Sequence, residues 1–351
     1  MRQELRALTG LRGVAALLVA FYHLDRTTPP ILGGVVSHFY LGVDLFFVLS
    51  GFVMALTYRD RFTGPPLGRA LLTFLAARIA RIYPLYVATT LAMAGLLALG
   101  AAAPLEGSAG LLPNMLMIQT WGNGWSINPP SWSISTEWAA YLAFPALLAV
   151  THRARIVAYV AGGAAALTLM AIAAPWPTPP PMVGPLDLYR PDDLRPVARC
   201  LAEFSLGLLA HRAWLVPEIA RIATARWTAP VVGGVLIVLL AVPPADLLIV
   251  ALLPILVVSL TAETSAPARL LASPLLHHLG VLSYAIYLLH YMLLPVRAWL
   301  DAWTTLPAMV ITYGGLIALA GVAHRLIERP ARRGIRGLLS AGKQGSAGQG
   351  P

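Results

Sequence analysis

Arg12 and His23 lie eleven positions apart in one apolar stretch, in Leu11-Arg12-Gly13 and Phe21-Tyr22-His23. A helix turns 100° per residue, so eleven residues make three turns plus about 20° and put both side chains on one face, about 16 Å apart along the axis. Ionisable side chains are costly in lipid and face a polar cavity or the protein interior. The stripe therefore joins a guanidinium near one membrane edge to a titratable imidazole deeper in. Such a stripe suits a polar, anionic molecule that reaches into the membrane with its reactive end near His23. On these two residues alone, the alternative is a snorkelling arginine and an interior histidine that has found a partner.

Four further groups carry side chains fit for chemistry. Gly42-Val43-Asp44-Leu45-Phe46-Phe47 puts Asp44 a few residues into the next apolar stretch. If the two stretches are antiparallel neighbours, Asp44 and His23 share a depth. A carboxylate on one ring nitrogen fixes the tautomer and raises the basicity of the other, as a general base needs. Otherwise Asp44 caps a helix start or pairs with an arginine elsewhere. Arg78-Ile79-Ala80-Arg81-Ile82-Tyr83-Pro84 sets two guanidiniums three apart on one helix face, expected at the inner membrane edge. They suit a phosphate or ordinary headgroup anchoring. Asn128-Pro129-Pro130-Ser131-Trp132-Ser133-Ile134-Ser135-Thr136-Glu137-Trp138 opens a helix from outside, with Glu137 about one turn inside the bilayer. Glu137 could bond sugar hydroxyls or carry a proton, and Trp121, Trp125 and Trp132 could stack on a sugar ring. The alternatives are an acid favoured by the helix dipole and an aromatic belt. Leu282-Ser283-Tyr284-Ala285-Ile286-Tyr287-Leu288-Leu289-His290 puts Ser283, Tyr287 and His290 on one face, unless His290 is structural. No Gly-x-Ser-x-Gly elbow, P-loop, His-x-x-His or Cys-x-x-Cys spacing occurs, so no metal site is expected.

The elements that must position these groups are membrane helices. The chain has 351 residues, 58% apolar and 11% charged, with a mean hydropathy of +0.72. Soluble domains average about 25% charged residues. The net charge of +10 comes from 24 Arg and one Lys, Lys343. In a membrane protein that excess reads first as an orientation signal, not as nucleic-acid binding. Cys200 is the single cysteine, which excludes an intrachain disulfide and a cysteine-based metal cluster. The first apolar stretch contains Arg12 and His23 and is followed by Asp25-Arg26, unlike a cleaved signal peptide. Ten spans are expected, at roughly 5–24, 39–58, 83–100, 131–150, 155–174, 197–214, 228–242, 246–261, 275–297 and 305–327, with the seventh and eighth open to being one re-entrant pair. With a cytoplasmic N-terminus, 20 basic residues fall inside and five outside: Arg26, Arg190, Arg195, Arg199 and Arg297. That split favours both ends in the cytoplasm. The expectation is an all-α integral membrane protein of about ten transmembrane helices in the plasma (inner) membrane. A transmembrane domain over 1–335 is followed by a disordered cytoplasmic tail over 336–351, rich in Gly, Ser and Ala. No internal repeat is evident.

Taken together, these residues resemble one family, the membrane-bound acyltransferase-3 proteins, which O-acylate glycans, lipids and some small molecules. The matching features are Leu11-Arg12-Gly13 with Arg-x10-His ending at His23, Gly42-Val43-Asp44-x-Phe46-Phe47, and Arg78-x-x-Arg81-x-x-Pro84. Trp132-Ser133-x-Ser135-x-Glu137, Leu282-Ser283-Tyr284-x-x-Tyr287-x-x-His290 and Glu328-Arg329-Pro330 also match, in family order over about residues 5–330. Each is weak alone, and together they are specific. The resemblance implies an acyl-CoA donor on the cytoplasmic side, a central role for the Arg-x10-His pair, and a part in activity for Arg78 and Arg81. Two departures stand out. The span-four motif, often Val-Glu-Glu or Val-Glu-Gln-Phe-Tyr in the family, is Thr136-Glu137-Trp138-Ala139-Ala140-Tyr141 here, with one acid, which argues against a two-carboxylate scheme. Some family members carry a C-terminal esterase-like domain. No such domain follows the tenth span in this sequence, so direct use of the acceptor, or a separate partner, is expected.

The mechanism expected from both readings has Arg12, Arg78 and Arg81 holding the donor's phosphates while the pantetheine arm follows the stripe to His23. His23, oriented by Asp44 and assisted by Glu137, acts as general base or acyl relay. Trp132, Ser133, Tyr287 and His290 are the acceptor-site candidates. Acyl-CoA, acetyl-CoA by default, is a co-substrate, and no bound cofactor is expected. The acceptor is a hydroxyl of a cell-surface glycan or glycolipid, with a secreted small molecule such as a macrolide sugar as alternative. Membrane lipids are further partners, and nucleic acid is not. The rival from another class is an exporter of a glycan precursor or solute, for which buried Arg, His and Asp would also serve.

Overall fold

The computed structural model describes residues 4–24, 30–62, 67–102, 107–153, 184, 186, 193–242, 245–301 and 305–334. Among them the chain is helical, apart from one isolated bridge between Ser108 and Trp125. In chain order the helices are α1 Arg6–Leu24, α2 Pro30–Ser37, α3 Gly42–Tyr58, α4 Leu67–Ala98, α5 Leu111–Met115, α6 Trp132–Arg153 and α7 Arg195–Trp214. Then come α8 Pro217–Ala223, α9 Thr228–Leu239, α10 Asp246–Ser259, α11 Ala266–Leu271, α12 Pro274–Leu289, α13 Leu294–Asp301 and α14 Thr305–Ala323. A 3-10 turn at His290–Leu293 separates α12 from α13, and a π turn at His324–Glu328 follows α14.

Six helical stretches are long and apolar enough to cross a membrane: Arg6–Leu24, Leu32–Arg61, Leu67–Ala98, Pro129–Thr151, Pro274–Leu300 and Leu306–Gly334. A seventh arises if α8 and α9, which meet at a 60° bend, form one broken span. Other expected spans have different outcomes. The stretch 155–174 lies outside the described residues. The stretch 197–214 is helical, as α7, but Arg195, Arg199, Glu203 and Arg212 make it too polar for an apolar span. The stretch 246–261 forms α10, whose 14 residues cover about 21 Å against a hydrocarbon core of about 30 Å. The third span does not start at residue 83. Helix α4 begins at Leu67 and runs for 32 residues with Pro84 in its interior. A proline there removes one backbone donor and kinks the helix, which membrane bundles tolerate when neighbours bond the freed groups. Beside that kink the Tyr284 hydroxyl donates to the Ile82 carbonyl at 2.6 Å, tying α4 to α12.

Two close approaches set the register of the bundle. Gly13 of α1 faces Gly280 of α12: a Cβ on Gly280 would lie 1.8 Å from the Thr9 carbonyl oxygen, and one on Gly13 would lie 2.6 Å from the Gly280 nitrogen. Only glycine permits that spacing, the usual device where packing must hold membrane helices together. Ten residues further along each helix, His23 meets His290, so α1 and α12 run parallel. In the same way Gly51 of α3 faces Gly207 of α7, while Asp44 meets Arg199 about two turns earlier, so α3 and α7 are also parallel. Phe74, Tyr141, Phe144 and Phe204 interlock between α4, α6 and α7 as tilted and edge-on pairs.

Candidate active site

A partly open cavity, about 690 Å³ counted to its mouth, is lined by α1, α3, α4, α6 and α12. Arg12, Arg78, Arg81 and Glu137 line it, with Tyr284 and Tyr287 on the α12 side. The arginines expected at the membrane edge therefore lie within the bundle. Arg78 is eleven residues into α4, about 16 Å of rise from Leu67, and is only 8% exposed. The reason is that α4 starts before the two arginines instead of after them. Among the described residues Arg12 and Arg81 make no hydrogen bond or ion pair. Arg78 donates from Nη2 to the Tyr58 hydroxyl at 2.7 Å, lies over the Tyr58 ring, and leaves Nε without a partner. Glu137 accepts from the Tyr141 hydroxyl at 2.7 Å and forms no ion pair among the described residues. It sits with the arginines instead of on a separate outward-facing surface. Three guanidiniums thus share a cavity with one carboxylate, and their donors are largely unspent.

Tyr287 forms the far wall of this cavity, and one turn further along is His290, which is fully buried. His290 Nδ1 lies 2.6 Å from the Tyr287 carbonyl oxygen, and its Nε2 lies 3.3 Å from His23 Nδ1. His23 Nδ1 is also 2.9 Å from the Val19 carbonyl oxygen. A carbonyl can only accept, so these partners assign Nδ1–H to both rings. The one His23 Nδ1–H is then shared, between the Val19 carbonyl oxygen at 2.9 Å and His290 Nε2 at 3.3 Å. The remaining lone pair is on His23 Nε2, which has no hydrogen-bond partner among the described residues. A neutral imidazole held through Nδ1–H with a free Nε2 is the form that takes up a proton.

Asp44 does not perform the orienting role expected of it. It is fully buried and bonds Arg199 of α7 through both carboxylate oxygens, one of them at 3.0 Å from Nε. Arg199 Nε also bonds Glu203 at 3.3 Å, and its guanidinium lies over the rings of Tyr40 and Trp132. Nearby, Asp246 accepts from the Tyr40 hydroxyl at 2.5 Å and lies 3.2 Å from His38 Nε2. A fixed cation on the neighbouring helix takes the carboxylate. Sequence reasoning missed Arg199, Glu203, Asp246, His38 and Tyr40. The available signal was Arg199 and Glu203 four apart in a stretch otherwise apolar enough to be read as a span. Arg199 and Arg297, counted as outer-loop charges, are both buried.

The four acceptor-site candidates do not gather in one outward pocket. The Trp132 ring packs on Phe47 and under Arg199. Ser133 is buried and bonds the Tyr287 hydroxyl at 2.8 Å. Tyr287 and His290 form the partition between the arginine cavity and His23. No group of three or more metal-ligating side chains occurs among the described residues.

The acyltransferase-3 family model, described as an acyltransferase domain, matches residues 5–325. Acyltransferase MdmB of Streptomyces mycarofaciens is 31% identical over 375 aligned positions, covering 94% of this chain and 92% of that protein. Exopolysaccharide production protein ExoZ of Rhizobium meliloti is 30% identical, covering 88% of this chain and 94% of its own. Protein 2 in the picA locus of Rhizobium radiobacter is 35% identical, over 40% of this chain and 72% of its own. No solved structure matches. The chain belongs to the acyltransferase-3 family and is an acyltransferase.

Proposed function

We propose that this enzyme moves an acyl group, acetyl by default, from cytoplasmic acyl-CoA to a hydroxyl of a cell-surface glycan, glycolipid or secreted small molecule. The observation that carries this reading is the cavity of under-partnered arginines ending one turn from the His23–His290 pair. Arg12, Arg78 and Arg81 supply charge-assisted bonds to the donor's phosphates. The pantetheine arm has about twelve bonds between phosphate oxygen and sulfur, roughly 14 Å when extended at the ~1.2 Å per bond of an extended chain. The rise from Arg12 to His23 is about 16 Å, so the extended arm, with the thioester carbonyl one bond beyond the sulfur, covers nearly the whole of it.

His23 Nε2 takes the proton from the acceptor hydroxyl, whose oxygen attacks the thioester carbonyl. The carbon–sulfur bond breaks, and the proton passes from His23 to the departing CoA thiolate. A relay in which Nε2 first takes the acyl group uses the same atom and differs by an acyl-protein trappable in rapid quench. His290 replaces Asp44 as the group that orients His23. Glu137 spaces the guanidiniums when no phosphate lies between them. A glycan hydroxyl as acceptor is supported by the exopolysaccharide production named for one relative.

The ten-span arrangement, both ends cytoplasmic, in the plasma membrane, remains our reading, with 1–335 as the transmembrane unit. Parallel α1 and α12 support it, as first and ninth spans, and so do parallel α3 and α7, as second and sixth. Setting aside buried Arg199 and Arg297, and the cavity's Arg12, Arg78 and Arg81, leaves the charge asymmetry intact. The test is thiol release from acetyl-CoA by the purified chain in nanodiscs, with glycan and glycoside acceptors. Release should require acceptor and fall by about 10²–10⁴-fold in His23→Ala, the range for a general base. A His23→Ala variant with the wild-type rate refutes the proposal.

A further inference from the structure

A second cavity, of about 660 Å³, lies beyond the histidine pair. Met93 and Leu97 of α4 line it, as do Tyr291 and Met292 of the turn after α12. Met93 is twelve residues past Arg81, about 18 Å further along α4. The Tyr291 ring meets His23 edge-on at 5.8 Å and His290 at 6.4 Å between centroids. The two cavities are therefore stacked along α4 and α12. Tyr287 faces the arginines, Tyr291 faces the second chamber, and the histidines lie between.

We infer that this second chamber receives the acceptor, and that the acceptor is a sugar hydroxyl carried on an apolar body, a glycoside or glycolipid, instead of a bare polysaccharide. This rests on the acyl-transfer reading above and deepens it. The lining decides the class. Nine of the twelve lining residues have apolar side chains, and none is charged; Ser108, Ser126 and Tyr291 supply the hydroxyls. The arginine cavity has three cations and an acid in its wall. A bare sugar has hydroxyls on every side, and each one desolvated against Met93, Leu97 or Met292 without a partner costs about 1–3 kcal/mol. An aliphatic or macrocyclic body gains from the same wall, by about 0.8 kcal/mol per buried CH₂. Tyr291, a wall residue of the chamber whose ring touches His23, then holds the sugar end on the imidazole side.

The experiment uses the full chain in nanodiscs, acetyl-CoA, and methyl, butyl and hexyl glucosides, which present the same sugar on bodies of increasing length. Acceptor kcat/KM should rise at least about tenfold from methyl to hexyl, well within the transfer value per CH₂. Simple partition into lipid also favours hexyl, so the series is repeated in Leu97→Trp and Ala102→Trp, which fill the chamber. The dependence on chain length should flatten in both. A series that is flat in wild type, or that stays steep in both variants, overturns the chamber. If the variants do not fold, a hexyl glucoside carrying a photoactivated diazirine decides on the wild-type chain. Label on residues 93–102 or 291–295, competed by unlabelled hexyl glucoside, supports the assignment, and competed label elsewhere refutes it. Thiol release that needs His23 but ignores chain length removes the chamber alone. Release independent of His23 removes the reaction beneath it, and the chamber with it.

Discussion

Replacing Arg81 by Gln removes one of three guanidiniums in the cavity without removing a hydrogen bond or ion pair within the described residues. Two opposite effects follow. The lost charge-assisted bond to a donor phosphate is worth about 1.5–3 kcal/mol, which at about 1.4 kcal/mol per decade raises the donor KM roughly 10- to 150-fold. The fold gains, because Arg78 and Arg81 are three apart on one helix face and their charged ends repel. At a separation of about 8 Å and an effective dielectric constant of about 20, that repulsion is roughly 2 kcal/mol, and Arg12 adds to it. Arg81→Gln should therefore bind donor worse and unfold at the same temperature or higher. A thermal-unfolding titration with free CoA reads both at once. Wild type should gain about 2.7 kcal/mol of stability at a hundred times Kd, and the variant at the same CoA concentration should lose from about half to nearly all of that gain. Headgroup anchoring predicts otherwise: no change in KM and no CoA-dependent shift to lose. An Arg81→Gln enzyme with wild-type donor KM and an unaltered CoA shift refutes the anion-site reasoning.

Four other predictions concern the site and its partners. His290→Phe should lower kcat about 5- to 10-fold with little change in donor KM, the worth of one hydrogen bond holding the His23 tautomer. His290→Asn, which restores an acceptor, should recover part of it. The wild-type rate should fall on acidification, because a protonated imidazole cannot accept the acceptor's proton, and a rate that stays flat down to the acid limit of folding contradicts that role. Asp44→Asn should destabilise the protein, by less than the about 3–5 kcal/mol of an uncompensated buried charge because Glu203 still pairs with Arg199, yet leave the midpoint of the pH profile in place. A shifted midpoint would restore Asp44 as the partner of His23. Gly280→Ala should force α1 and α12 apart, because its Cβ would overlap the Thr9 carbonyl oxygen. A shift of α12 against α1 by about 1 Å also moves the Tyr284 and Tyr287 wall of the cavity, so the rate should fall further than in His290→Phe, by roughly 10²-fold, and a near-normal rate in folded Gly280→Ala enzyme excludes the glycine contact as the register device.

What the sequence makes legible is local. Arg12 and His23 share a helix, so their common face follows from 3.6 residues per turn, and Arg78 and Arg81 share a cavity because they are three apart. Partners chosen across the chain are not legible in this way. Chain position offered both Asp44 and His290 as partners for His23, and what decides is the Gly13–Gly280 approach, which depends on packing between segments more than 260 residues apart. Asp44 is claimed by Arg199, 155 residues away, for the same kind of reason. Charge counting treats every arginine as solvent-facing, so it could not separate the buried Arg199 and Arg297 from loop residues. The span expected from residue 83 begins at Leu67 instead, with Pro84 in its interior, because a proline is tolerated in a bundle where neighbours satisfy the backbone.

The most direct measurement is a structure of the full chain in nanodiscs with a non-hydrolysable thioether analogue of acetyl-CoA. The expected result puts the analogue's phosphates against Arg12, Arg78 and Arg81. Its thioether should then lie within direct or one-water hydrogen-bonding reach, about 3–6 Å, of a position beside His23 Nε2. Phosphates bound away from the three arginines, or an acyl end that stops short of Tyr287, would contradict a donor path running from the arginine cavity to the histidine pair.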